Sequence, residues 1–290
     1  MELRQLVYAE AVVRHRHFTR AAEELHVAQS ALSHQIRRLE AELGTELFER
    51  TSRRVVPTEA GEALAQRARR VLGELEGVRG DLDELRGLVR GRISVGALLP
   101  AGGIQVTTVL ARFTEAFPGI EVSLREGTAA DMLELVESDA VDAAFSLIAG
   151  EVPAGIVALE LSEEGVVVAF PPGTAPATDR VSASDLAGVP LATPRSGSAI
   201  KAAADEFFSR AGEQLRLSLE SGDPYLIRCL VSDGFGAALL PASIARREGP
   251  PVETRPLSPE IRLPAFLLWR TGRHRSAAAD AFIDFVRDYD

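Results

Sequence analysis

The chain is poor in the residues that usually announce redox, metal or membrane chemistry. Its 290 residues include one cysteine, Cys229. A single thiol cannot close an intramolecular disulfide, and no second cysteine is present to resolve an oxidised one. Cys229 lies in the run Leu226-Ile227-Arg228-Cys229-Leu230-Val231 and reads as a buried structural thiol rather than a nucleophile or redox sensor. Four of the five histidines fall within the first 34 residues, so no Cys/His metal set exists. His15, His17 and His26 read as surface or turn residues. No apolar run approaches the roughly 20 residues of a membrane span. Arg4 and Glu10 interrupt any signal-peptide pattern. The expectation is a cytoplasmic protein with no membrane segment, no metal and no other cofactor. Enzyme signatures are missing too. No paired carboxylates stand out at helical spacing. Ser196-Gly197-Ser198 lacks the glycine frame of a nucleophile elbow. Gly234 and Gly236 are too few for a nucleotide fingerprint. Lysine is nearly absent: Lys201 is the only one, which with abundant alanine points to a G+C-rich coding sequence.

Acidic residues outnumber basic ones, 42 to 32, for a net charge of -10. The imbalance is local. Residues 1–90 hold 15 arginines and 15 acidic residues and are neutral, so residues 91–290 carry the whole -10. The 46% hydrophobic content over 290 residues suffices for more than one globular domain. An acidic second part discourages non-specific contact with nucleic acid and leaves such contact to a local arginine patch.

That patch lies near Phe18–Gly61. Between Gln29 and about Leu43, Leu32, Ile36, Leu39 and Leu43 recur at spacings of four, three and four, which gives one apolar helix stripe. Ser30, Ser33, His34 and Arg37 fall roughly opposite, and all can bond to base edges or phosphates. Upstream, Thr19 is placed to cap a short helix through Ala21, Ala22 and Leu25. His26-Val27-Ala28 leaves a three-residue turn, the spacing of a helix-turn-helix. Leu3, Leu6, Val7 and Ala11 supply an earlier helix that closes the small core. Leu47-Phe48 anchors the next stretch of chain, where Arg50, Arg53 and Arg54 suit a wing that grips the phosphate backbone.

The run FTRAAEELHVAQSALSHQIRRLEAELG, then LFER, the arginine pair and VPTEAG, resembles the DNA-binding domain of LysR-type transcriptional regulators. The resemblance continues more weakly through the rest of the chain. It implies a winged helix-turn-helix over residues 1–58, with a recognition helix beginning near Gln29 and a wing around Arg53. The DNA-contacting residues it implies are Thr19, Gln29, Ser30, Ser33, His34, Arg37, Arg50, Arg53 and Arg54. Many members carry proline at the position of Ser30 and arginine at that of His34, so base preference is expected to diverge at His34.

From Thr58 to about Arg86 the pattern is one long helix. Leu64, Val71, Val78 and Leu85 repeat every seven residues, and Ala68, Leu75 and Leu82 do so on the interleaved phase. Such a heptad seam favours pairing between subunits, and Leu64, Val71, Leu75, Val78, Leu82 and Leu85 are the expected dimer contacts. Gly73, Gly77 and Gly80 each weaken the isolated helix by up to about 1 kcal/mol. A symmetric pair suits two half-sites of an inverted repeat. The expected linker helix spans residues 59–87 and a hinge spans 88–91.

Beyond Gly91, strands alternate with helices, which implies a doubly wound, largely parallel sheet. Expected strands are Arg92–Leu99, Ile120–Leu124, Ala143–Ile148, Leu191–Thr193, Leu215–Leu219, Ala237–Leu240 and Phe266–Trp269. The resemblance implies a two-lobed α/β effector domain of the type 2 periplasmic-binding-protein fold. Lobe I is placed at residues 92–162 and 266–290, and lobe II at residues 163–265. The chain would cross near Leu161–Glu164 and Ile261–Phe266. Ligands in such sheets bind beyond the carboxyl ends of strands. Pro100, Ala101, Gly102, Thr128, Ser146, Arg195, Ser196 and Ser198 are therefore the candidate effector contacts. Helix N-termini at Gly103, Thr128 and Ser198 suit an anionic ligand. Each hydroxyl reads equally as a simple helix cap, and Arg195 as a solvated loop residue. The loop Leu98-Leu99-Pro100-Ala101-Gly102-Gly103 lacks the hydroxyl common in the family, so an apolar ligand face, or binding by backbone amides alone, is expected there. The implied partners are double-stranded DNA, a small organic effector, further copies of the chain as dimer or tetramer, and RNA polymerase. The rival reading is an enzyme or solute-binding protein built on the α/β part, with the N-terminal helices as a protein-interaction module.

Overall fold

A computed structural model describes residues 1–50, 55–84, 90–99, 102–272 and 275–289. The chain divides into two compact units, the first made chiefly of residues 1–88 and the second of the remainder.

The first unit runs α1 (Leu3–His15), α2 (Phe18–Glu24), α3 (Gln29–Leu43), β1 (Phe48–Arg50), β2 (Val55–Pro57) and α4 (Glu59–Glu84). A capping box between Glu2 and Gln5 starts α1, and Arg16 closes it in the left-handed conformation at φ 48. His17, not Thr19, caps α2. Its backbone is extended, and its Nδ1 accepts the N–H groups of Thr19 and Arg20 at 3.2 and 3.5 Å. The helix therefore starts at Phe18, which leaves Thr19 exposed inside the first turn. The turn to α3 has four residues, Leu25–Ala28, one more than the sequence suggests, because α2 ends at Glu24 and half-buried Leu25 packs against the core.

Gly44 ends α3 at φ 69, where a side chain would be strained. Leu32, Ile36 and Leu39 are fully buried. Leu43, the fourth residue of the expected stripe, is exposed, since it lies in the last turn past the final buried position. Leu3 of the α1 stripe is exposed as well. The wing hairpin pairs Phe48 with Pro57 and Arg50 with Val55. Leu47 and Phe48 anchor it, and the Phe48 ring meets Phe18 edge-on at 5.7 Å.

The heptad seam divides in two along α4. Its early positions serve the unit's own core: Ala68 is fully buried and Leu64 packs on the cluster around Leu32 and Ile36. The later positions Val71, Leu75 and Val78 are 44%, 43% and 55% exposed in the single chain. The Leu82 side chain and Leu85 lie outside the described residues.

The second unit contains β3 (Gly91–Ala97), α5 (Val106–Ala116), β4 (Ile120–Glu126), α6 (Ala129–Glu137), β5 (Ala143–Leu147), β6 (Ile156–Phe170), β7 (Val181–Ser182), β8 (Leu191–Pro194), α7 (Ala199–Arg210), β9 (Leu217–Ser221), α8 (Pro224–Ser232), β10 (Ala237–Pro241), α9 (Ala242–Arg246), β11 (Glu253–Arg270) and α10 (Ala277–Arg287). Its strands follow the order β4-β3-β5-β11-β6-β10-β8-β9, with β7 beside β11. β3 pairs in parallel with β4 and β5, and β8 pairs in parallel with β9 and β10. The long antiparallel pair β6 and β11 runs through both groups, so two lobes share two crossing strands. In one lobe α5 and α10 cover one face through Phe113, Phe282 and Ile283, and α6 covers the other through Met132 and Val136. In the other lobe, α7 and α8 play the same parts through Phe208 and Ile227. With both faces covered, β5, β8 and β10 are buried at every position, as in other parallel sheets packed on both sides. Gly96 in β3 permits the closest approach: a Cβ there would lie 2.8 Å from the Met132 sulfur.

Candidate nucleic-acid surface and ligand cleft

On α3, Gln29, Ser30, His34 and Arg37 are exposed. Ser33 is not. It is 8% exposed, because it sits only about 60° around the helix from Ile36. Its carbonyl accepts the Arg37 Nε–H at 3.4 Å, so it braces the exposed face instead of joining it. The Arg50 side chain, Arg53 and Arg54 lie outside the described residues.

Charge pairing sorts the remaining arginines. Arg4 and Arg38 flank Glu2 at 3.6 and 3.7 Å. Arg14 holds Glu24 at 2.6 Å and Glu10 at 3.3 Å, and Arg69 reaches Glu10 at 3.7 Å. Arg16 reaches Glu62 at 4.0 Å. Arg20, Arg37 and Arg67 carry no ion pair among the described residues. Arg20 is absent from the contacts that the sequence suggests; its place beside the α2 cap was the available signal. The Arg14 hydrogen bond, with smaller help from His15, holds the Glu24 carboxyl down at about 2 against the opposing effect of burial. The same contact raises the Arg14 pKa.

In the second unit the carboxyl ends of β3, β4, β5 and β8 converge on a cavity of about 280 Å³. Leu98, Leu99, Leu147 and Ile200 form its apolar wall, and Glu126, Thr128, Arg195, Ser198 and Ser221 its polar part. Thr128, Arg195 and Ser198 are thus brought together. Both hydroxyls are engaged as caps. Thr128 Oγ1 donates to Asp131 Oδ2 at 2.8 Å and accepts the Asp131 N–H at 3.2 Å. Ser198 Oγ accepts the Lys201 N–H at 3.1 Å and starts α7. Asp131 is held below its ordinary pKa first by the Thr128 N–H, then by the Thr128 hydroxyl, and least by Arg195.

Three expected contacts lie elsewhere. Ser146 is fully buried mid-strand in β5, opposite Phe266, and its hydroxyl turns to the Leu147 carbonyl at 3.2 Å. Ser196 is exposed outside the cavity, with Oγ 3.4 Å from Glu220 Oε1. Gly102 is buried against Ala265 and Ser162 at φ 65, away from the lining. Pro100 and Ala101 lie outside the described residues. Glu126, Ile200 and Ser221 went unread in the sequence. Glu126 ends β4, so the carboxyl-end rule already pointed to it.

A larger cavity, about 550 Å³, lies between the later turns of α7, the Ile148–Gly150 turn and the Ser258–Pro264 stretch. Its charged residues neutralise one another: Arg210 pairs with Glu206, and Glu260 with Arg262 and Arg180.

Residues 3–62 match the family described as bacterial regulatory helix-turn-helix protein, lysR family, and residues 86–290 match the LysR substrate binding domain. The chain belongs to the LysR family of transcriptional regulators. It is not an enzyme family. The chain is 31% identical to the hydrogen peroxide-inducible genes activator of Pectobacterium carotovorum subsp. carotovorum, covering 100% of this chain and 97% of that one. It is 32% identical to the RuBisCO operon transcriptional regulator of Allochromatium vinosum, over 99% and 95%. Among solved structures, full-length CbnR in complex with its target DNA matches with a TM-score of 0.65 and 26% identity, over 99% of both chains. A full-length OxyR variant from Pseudomonas aeruginosa shares the fold at a TM-score of 0.75 and 24% identity, over 99% and 95%. The two-lobed sheet of this LysR-family chain is therefore its substrate-binding domain, and the helical unit its DNA-binding domain. No helix among the described residues is long and apolar enough to cross a membrane.

Proposed function

We propose that this regulator binds inverted-repeat promoter DNA as a dimer or tetramer in the cytoplasm, without a cofactor. A small organic molecule bearing an anionic group and seated in the 280 Å³ cavity sets its output. The observation that carries the DNA reading is the pairing pattern: Arg20 and Arg37 lack the carboxylate partners that Arg4, Arg14, Arg16, Arg38 and Arg69 have. Their charge is available to phosphates, and Gln29, Ser30 and His34 on the same exposed helix are placed for base edges. Thr19, Arg50, Arg53 and Arg54 complete the proposed contact set. The exposed Val71, Leu75 and Val78 support pairing through the later part of α4. Arg195 and the amides at the start of α7 support an anionic group on the effector. Effector binding then changes how promoter DNA is held and how RNA polymerase gains access.

The test is titration of the full-length protein against its own upstream DNA by fluorescence anisotropy at several salt concentrations. Affinity should fall with salt by a log–log slope of about -0.9 per phosphate contacted, and Arg20→Ala or Arg37→Ala should each flatten it by about 1. A salt-independent complex refutes phosphate-driven binding. Leu75→Arg should convert the protein to monomers in sedimentation and weaken its DNA binding. Unchanged dimers refute the pairing.

A further inference from the structure

Two cavities of the second unit differ in how their charges are used. In the larger one Glu206, Arg210, Glu260 and Arg262 satisfy one another at the rim. In the smaller one, two opposite charges line the same space without pairing. Glu126, at the carboxyl end of β4, carries no ion pair among the described residues. Arg195, following β8, has its one ion-pair contact among the described residues with Asp131, at 3.9 Å. Asp131 does not depend on that contact, because it already accepts the Thr128 N–H at 2.7 Å and hydroxyl at 2.8 Å. Arg195 can leave without stranding a carboxylate. Apart from the hydroxyls of Thr128, Ser198 and Ser221, the rest of the wall is largely apolar, with Leu98, Leu99, Leu147 and Ile200 lining the space.

We propose that this cavity selects a zwitterion: a small aliphatic molecule, of amino-acid size, that carries one carboxylate and one ammonium. The carboxylate takes Arg195 over from Asp131, and the ammonium docks on Glu126. This rests on the reading of the cavity as the effector site. A plain carboxylate of the same body gains Arg195 but meets the negative charge of Glu126, and a plain amine meets the reverse. Only a molecule with both poles satisfies both walls. Glu126 belongs to the β3–β5 lobe and Arg195 to the β8–β10 lobe, so the ligand's two poles tie the lobes together.

The test is calorimetry on the full-length protein with L-valine, L-leucine and L-methionine, each beside its deaminated acid and its decarboxylated amine. At least one amino acid should bind about tenfold or more tighter than its matched acid and amine, the low end for solvent-open charged contacts. Glu126→Gln should weaken that amino acid about tenfold and tighten the acid. Arg195→Gln should weaken both. Acids that bind as well as the amino acids, absence of binding by any of the amino acids, or an acid-to-amino-acid ratio unmoved by Glu126→Gln overturns the proposal. If acids bind through Arg195 but ignore Glu126→Gln, the zwitterion falls while the effector site stands. If binding survives Arg195→Gln unchanged, the site assignment itself falls.

Discussion

Replacing Gly61 by alanine sets two physical effects against each other. Gly61 lies in the first turn of α4, where helix propensity favours alanine by up to about 1 kcal/mol. Propensity alone therefore predicts a more stable protein. The packing predicts the reverse. A Cβ at residue 61 would stand 2.1 Å from the Leu47 carbonyl oxygen and 3.1 Å from its carbon. An ordinary C···O contact needs about 3.3 Å, so backbone must retreat by about 1.2 Å. Neither side gives easily. The Leu47 carbonyl accepts the Thr58 N–H at 2.9 Å, and the Leu47 and Phe48 side chains are buried. Forced overpacking costs about 1–3 kcal/mol, and a backbone obstacle belongs at the upper end. After the propensity gain, the net loss is about 2 kcal/mol. For a unit of this size that lowers its melting temperature by about 8–16 °C. Leu47 leads directly into the wing strand, so wing placement should suffer as well. Calorimetry of the full-length protein reads the first, and anisotropy on promoter DNA reads the second. A Gly61→Ala protein that melts at or above the wild-type temperature and binds DNA normally refutes the reasoning.

Three further outcomes rest on single contacts. Glu24 has a folded-state pKa of about 2 against an ordinary 4.5, so its stabilisation is complete above about pH 4.5 and is lost as pH falls towards 2. Its side chain is 40% exposed, so screening holds the effect below about 1 kcal/mol. The melting difference between wild type and Glu24→Gln should be present at pH 6 and vanish near pH 2. His17→Ala should cost about 1 kcal/mol by uncapping α2, and His17→Asn should restore most of it; equal melting of all three refutes the cap. Ser198→Ala should likewise cost about 1 kcal/mol through α7 while changing ligand affinity little, because its oxygen is engaged by the Lys201 N–H. A large affinity loss without destabilisation would make that hydroxyl a ligand contact.

The sequence was readable where one face is apolar and the ends are marked. The extent of α3 follows from its stripe and from Gly44. The shorter strands of the second unit follow from their apolar runs between helices, but the long crossing strand β6 and the first part of β11 carry charged residues and were not read as strands. It was less readable where a pattern serves two masters. A heptad phase does not say whether the partner is another subunit or the chain's own core, so Leu64 and Ala68 read as seam although they pack within the first unit. Strand periodicity fails where helices cover both faces, so Ser146 read as a cleft residue although it is sealed in the sheet. Histidine is not a usual cap, so Thr19 was preferred to His17.

The cleft shows why hydroxyls mislead in folds of this kind. The ends of β4 and β8 that open on the cavity lead into α6 and α7, and the first turn of a helix needs acceptors for its free amides. Thr128 and Ser198 meet that need first, and Asp131 is drawn into the same turn. Residues left over for a ligand are those that no cap requires. By that criterion the groups proposed to select the ligand are Glu126 and Arg195; the reading of the loop hydroxyls named Arg195 among its candidates and did not name Glu126. The same criterion applies to the helical unit. Its neutral total charge hides a division between arginines held by carboxylates and arginines that are not. An exposed unpaired charge is well solvated and proves nothing alone. Its information lies in contrast with neighbours of the same type that the fold has already paired. In the first unit that contrast marks Arg20 and Arg37, with Arg67, and in the cavity it marks Glu126, a division that composition alone does not draw.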